Sequence, residues 1–131
     1  SMIDTVLILK LFKFIVVGFS GMLIDFGVTW LLKEKAKVNK YIANSAGFML
    51  AASSNYIWNR IWTFSSQSDE ITREYLSFII ISVIGLAINN FVIYLLTTKV
   101  KMNFYLAKLI AIVVVTLWNF SMNFLITFAK Q

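Results

Sequence analysis

Leu31-Leu32-Lys33-Glu34-Lys35-Ala36-Lys37-Val38-Asn39-Lys40-Tyr41 is answered 64 residues later by Leu95-Leu96-Thr97-Thr98-Lys99-Val100-Lys101-Met102-Asn103-Phe104-Tyr105. Each stretch closes one apolar run, turns through a few basic and polar residues, and opens another. Extended outward, the same offset aligns Phe14–Gln67 with Phe78–Gln131 without a gap, and about a third of the positions are identical. Gly21 meets Gly85, Asn55 meets Asn119, Asn59 meets Asn123, and Thr63-Phe64 meets Thr127-Phe128. Chance apolar similarity would align Leu with Ile, but it would not put these asparagines and glycines in register. The reading is of two tandem helix-pair units, roughly residues 12–67 and 76–131, in one domain over 1–131 with room for no appended catalytic module.

The runs on either side of the turns are long. Phe12–Leu32, Tyr41–Phe64, Tyr75–Leu96 and Phe104–Phe128 each reach the roughly 20 residues that a helix needs to cross a hydrocarbon core. The expected fold is therefore all-α and integral to a membrane, with four transmembrane helices as two hairpins. An even number of spans per unit makes both copies enter the membrane in the same direction, a parallel repeat about an axis along the membrane normal.

Composition agrees. The 131 residues are 60% hydrophobic and 14% charged, well above the apolar share and below the charged share of soluble domains. Cysteine, histidine and proline are absent, which removes disulfides, thiol chemistry, zinc sites of the usual kind and the commonest general base. No metal, cofactor or catalytic residue is expected. The net charge of +6 comes from lysines in short connections, where basic side chains meet lipid phosphates, so membrane lipids and not nucleic acid are the expected partners. Ser1 before Met2 reads as a cleavage scar, and no cleavable signal peptide is expected because the first apolar run is too long.

Polar residues inside the spans are the candidate site. Every fourth residue of the second span reads Ala43, Gly47, Ala51, Asn55, Asn59, and of the fourth Ala107, Ala111, Val115, Asn119, Asn123. Such spacing keeps them on one face, small at one end and amide-bearing at the other, suited both to close packing and to binding hydroxyl groups. Asp25 is the one acidic residue deep in a span, and its partner in the repeat is Asn89. A carboxylate there must face the interior, pair or take up a proton. Helix depth brings Lys108 within reach of Asp25 and leaves Arg60 roughly 15 Å away in height. Arg60 stands among Tyr56, Trp58 and Trp62, an interfacial girdle, with Lys13 and Arg73 at the same level. Only arginine offers a planar fork for a phosphate. Ordinary packing amides and snorkelling cations explain the same residues without a ligand, and the sequence leaves both readings open.

The four spans, the segment Phe14-Ile15-Val16-Val17-Gly18 leading to Asp25, and above all Asn55-Tyr56-Ile57-Trp58-Asn59-Arg60-Ile61-Trp62-Thr63-Phe64 resemble the GtrA-like family of bacterial membrane proteins. The likeness covers nearly the whole chain. It implies a role in glycosylation of cell-envelope polymers such as O-antigen or teichoic acid, by translocation of polyprenyl-phosphate-linked sugars across the cytoplasmic membrane. It also implies cytoplasmic termini, against the weak lean of the lysine count toward termini outside. In that reading Arg60, Lys13 and Arg73 take the lipid phosphate, Asn55, Asn59, Asn119 and Asn123 meet the sugar, and Asp25, Asn89 and Lys108 form a deeper polar station. The alternative is a noncatalytic subunit that anchors a polyprenyl-phosphate glycosyltransferase. A small drug–proton antiporter fits less well, because those pair two chains around a Glu. Four short helices expose enough side area for a homo-oligomer.

Overall fold

The computed structural model describes residues 1–63 and 71–123, with side-chain surroundings given outside 71–74 and 120–123. Every regular element among them is helical: α1 (Met2–Trp30), α2 (Lys40–Trp58), α3 (Ile71–Thr98) and α4 (Phe104–Asn123). Five-residue π-turns, Leu31–Lys35 and Asn59–Thr63, extend α1 and α2. Close backbone packing divides the chain after Tyr75.

α1 begins well before the predicted Phe12. No Pro interrupts it and its first glycine is Gly18, so nothing in Met2–Leu11 stops a helix whose backbone groups satisfy one another. Met2–Lys35 and Tyr75–Thr98 are both long and apolar enough to cross a bilayer. α4 carries a shorter apolar stretch, Phe104–Asn119. Asn44, Ser45, Ser53 and Asn55 lower the hydropathy of α2.

Hydroxyl groups within the helices mostly bond their own preceding turn, which is how they avoid the cost of a bare donor in an apolar setting. Ser45 donates to the Tyr41 carbonyl at 2.7 Å, Ser53 to Met49 at 2.8 Å, Thr97 to Ile93 at 2.7 Å and Thr116 to Ile112 at 2.7 Å.

The two reverse turns are built alike. Lys37 takes φ 57° and Lys101 φ 64°, left-handed values that usually call for glycine at a helix end. In the first turn the Val38 N–H reaches the Leu32 carbonyl at 2.8 Å; in the second Met102 reaches Leu96 at 2.9 Å. Asn39 and Asn103 then cap the helices that they precede. The Asn39 Oδ1 accepts from the Tyr41 and Ile42 amides at 2.8 and 3.4 Å, and Asn103 Oδ1 from Tyr105 and Leu106 at 2.9 and 3.3 Å. This satisfies amides that a helix start leaves without partners.

In the first unit α1 packs on α2 through Val17, Gly21, Asp25 and Thr29 on one side and Ala43, Asn44, Gly47 and Ala51 on the other, all buried. A Cβ on Gly47 would stand 2.6 Å from the Asp25 carbonyl oxygen, so the backbones approach as closely as small residues permit. In the second unit the buried residues are Ser82, Gly85, Asn89 and Ile93 on α3 and Ala107, Lys108, Ala111 and Val115 on α4.

Candidate functional site

The polar residues of the first unit fall into an inner group and an outer group. The inner group lies where α1 meets the start of α2. Asp25 keeps 3% of its surface exposed, and Thr29 and Asn44 keep none. Thr29 Oγ1 donates toward Asp25 Oδ1 at 3.3 Å, with the Ala43 carbonyl at 3.5 Å as a second acceptor. One hydroxyl proton is thus shared between a carboxylate and a backbone oxygen. Gly47 makes this convergence possible, because a Cβ there would come within 2.5 Å of Thr29 Oγ1 and 2.7 Å of Asp25 Oδ1. Asp25 faces the inside of its hairpin. Thr29 was not singled out from sequence; it continues Val17, Gly21 and Asp25 at four-residue spacing along α1, while Asn44, a position where the two copies differ, stands beside Ala43 on α2.

Asn55 stands further along α2 against Gly21, where a Cβ would come within 2.9 Å of the amide carbon. Its Oδ1 is buried and meets no hydrogen-bond donor among the described residues. Such an atom carries a desolvation cost of about 1–3 kcal/mol that a donor would offset.

The outer group belongs to the π-turn Asn59–Thr63. Thr63, 3% exposed, donates through Oγ1 to Asn59 Oδ1 at 2.8 Å. The bond ties the two ends of the turn together and occupies one side of the Asn59 amide. π-turns add a residue to the helical repeat and re-aim the side chains beyond it. Here the turn holds Arg60 partly exposed and brings Trp62 to α1, where the Lys13 ammonium lies 5.4 Å from the indole centroid. Tyr56 packs edge-on against Tyr75 with centroids 6.5 Å apart. The Lys13–Trp62 contact places Lys13 beside the turn that carries Arg60. Arg73 lies on α3, and its side chain falls outside the described residues, as does that of Asn123 at the end of α4.

In the second unit Asn89 and Lys108 are wholly buried, and Asn119 Oδ1 is buried without a donor among the described residues. Asp25, Asn44 and Asn55 of the first unit thus have Asn89, Lys108 and Asn119 at the matching sequence positions of the second.

Known proteins resemble this chain at several levels. The profile described as the GtrA/DPMS transmembrane domain matches residues 13–128. A dolichol-phosphate mannosyltransferase of Pyrococcus furiosus is 32% identical over 105 residues, covering 79% of this chain and 29% of that protein. The uncharacterized membrane protein YngA of Bacillus subtilis is 31% identical over 83 residues, covering 63% of this chain and 55% of that one. The chain therefore spans well under two thirds of either relative. No solved structure matches it.

Proposed function

We propose that this chain, which belongs to the GtrA/DPMS transmembrane-domain family, carries a polyprenyl-phosphate-linked sugar across the bacterial cytoplasmic membrane for glycosylation of a cell-envelope polymer. The observation that carries the reading is the pairing of a cationic, aromatic rim with a buried polar interior in the same helix hairpin. Lys13, Arg60 and Trp62 form the rim; Asp25, Thr29, Asn44 and Asn55 form the interior. A lipid phosphate suits the first and sugar hydroxyls suit the second, while the prenyl tail stays in the surrounding lipid.

The chemistry divides by residue. Arg60, with Lys13 and Arg73, holds the phosphate by charge-assisted hydrogen bonds. The buried Oδ1 atoms of Asn55 and Asn119 accept from sugar hydroxyls, and Asn59 and Asn123 offer amides nearer the rim. Asp25 in one unit, with Asn89 and Lys108 in the other, supplies the deeper polar positions. All four helices cross the bilayer, with both termini cytoplasmic. The repeat is supported by burial at 21, 25, 29, 43, 44, 47 and 51 and again at the positions 64 further on, and by turns that share a left-handed lysine and an asparagine cap.

Reconstitution tests this. Purified protein in sealed vesicles should speed the exchange of labelled polyprenyl-phosphate sugar between leaflets, and Arg60→Ala should abolish the effect. Exchange that is equally fast in protein-free vesicles overturns the proposal.

A second reading is favoured by one finding. The mannosyltransferase relative is matched over only 29% of its length, so a domain of this kind accompanies further sequence in a protein of that name. In that reading the chain is a noncatalytic anchor for a separate glycosyltransferase, and co-purification of a stoichiometric enzyme that is lost on deletion of the chain would support it.

A further inference from the structure

Lys13 and Trp62 meet in a contact that neither helix makes alone. Lys13 lies on α1 and Trp62 in the π-turn at the end of α2, with the ammonium 5.4 Å from the indole centroid. Two further cation–aromatic contacts are local: Lys35 lies 5.2 Å from Trp30 in the adjoining turn, and Lys40 lies 5.3 Å from its neighbour Tyr41. The two partners of the Lys13 contact also differ in freedom. Trp62 stands in a π-turn whose two ends are tied by the Thr63 hydroxyl donating to Asn59, whereas a lysine stem has four rotatable bonds and swings readily. The lysine is thus the more readily displaced of the two partners.

An anion would compete with the ring for the ammonium. Trp62 is 39% exposed, and a cation over an exposed ring is held weakly compared with an ammonium bonded to phosphate. Arg60 and Trp62 share one π-turn, two residues apart and so on different faces of it; Arg60 adds positive charge at this level of the hairpin, and the phosphate that draws Lys13 away is bound by the lysine itself. The face that Lys13 leaves is electron-rich and flat. It suits the C–H face of a pyranose, whose hydrogens carry slight positive charge and whose hydroxyls point outward to the amides.

We infer that Lys13 is a movable cover on Trp62: a lipid phosphate draws the ammonium away, and the uncovered indole stacks on the sugar joined to that phosphate. This rests on the phosphate capture proposed above and adds two things to it, Trp62 as the sugar platform and Lys13 as its gate. The arrangement makes sugar stacking depend on prior phosphate binding, so a free sugar without the phosphate finds the platform occupied.

The test uses full-length protein with Trp30, Trp58 and Trp118 changed to Phe, leaving Trp62 as the emitting indole, in phosphatidylcholine vesicles. Long-chain polyprenyl phosphate should alter Trp62 emission, and the same lipid bearing a hexose should alter it further. Lys13→Met should remove the response to the bare lipid phosphate. Trp62→Ala should lower the ratio of affinities for the sugar-bearing lipid and the bare lipid phosphate three- to tenfold, with Trp62→Tyr retaining most of that ratio as the folded control. Unchanged emission under conditions where labelled lipid binds in an Arg60-dependent manner overturns the cover and leaves the phosphate reading standing. Absence of Arg60-dependent binding overturns both. An equal response to inorganic phosphate, or an equal response in Lys13→Met, also sinks the inference.

Discussion

The side chain of Asn55 fills the space where Gly21 would carry a Cβ, so these two residues set how closely α1 and α2 cross at that level. Gly21→Ala should therefore destabilise the hairpin by about 1–3 kcal/mol, the usual cost of overpacking. The clash is with a side chain and is removable. Asn55→Ala added to Gly21→Ala should restore most of the loss, which a double-mutant cycle on detergent-solubilised protein would read as a large coupling term.

Gly47 contrasts with Gly21. Its missing Cβ faces the Asp25 carbonyl oxygen at 2.6 Å, and backbone does not step aside. Gly47→Ala should cost more than Gly21→Ala, about 3 kcal/mol or beyond, and no side-chain truncation on α1 should rescue it. Thermal unfolding of the two single variants side by side checks the order.

Thr29 shares one proton between Asp25 and the Ala43 carbonyl. Thr29→Val keeps the shape and removes the donor, for an expected loss of about 0.5–1.5 kcal/mol. Thr29→Ser should behave like the parent protein. A Val variant as stable as the parent would show that the hydroxyl is a spectator.

Lys37 and Lys101 adopt left-handed backbone conformations in the two turns. A β-carbon in that region carries a cost of about 1–2 kcal/mol, so Lys37→Gly or Lys101→Gly should be neutral to stabilising, where glycine's extra freedom in the unfolded chain offsets part of the relief. Asn39→Ala and Asn103→Ala should each destabilise by about 0.5–2 kcal/mol through loss of the cap. Unfolding midpoints of the four variants, measured together, separate the two effects.

Arg60→Lys keeps the charge at the rim and discards the planar fork. If the phosphate is held by two parallel hydrogen bonds, binding of polyprenyl phosphate should fall about tenfold in Arg60→Lys and further in Arg60→Ala. Equal affinity in the parent and Arg60→Lys would mean that charge alone suffices.

Much of the fold was legible because lipid leaves a chain few options: apolar runs of this length, with no proline, become helices. The stripe Ala43, Gly47 and Ala51 was legible as a packing face because four-residue spacing places it there, and its burial agrees. Asp25 could be placed inward from the cost of a charge in an apolar medium. The caps at Asn39 and Asn103 obey the rule that asparagine precedes a helix, and their match in the repeat doubles that signal.

Other features had no local signal. The left-handed turns use lysine where glycine would announce them. The π-turns need a count of hydrogen bonds that composition does not supply. Thr29 joins Asp25 to Ala43 because two helices lie close enough for one hydroxyl to reach both oxygens. Lys13 covers Trp62 although 49 residues separate them in the chain. The sequence alone therefore determined that the chain is built of helices, roughly where they turn back and which face of α2 is buried, since these depend on periodicity and solvation along the chain. Tertiary structure decided which side chains meet across α1 and α2, because contacts at a helix crossing depend on the depth and register of approach, and those are set by glycines whose partners lie far away in sequence.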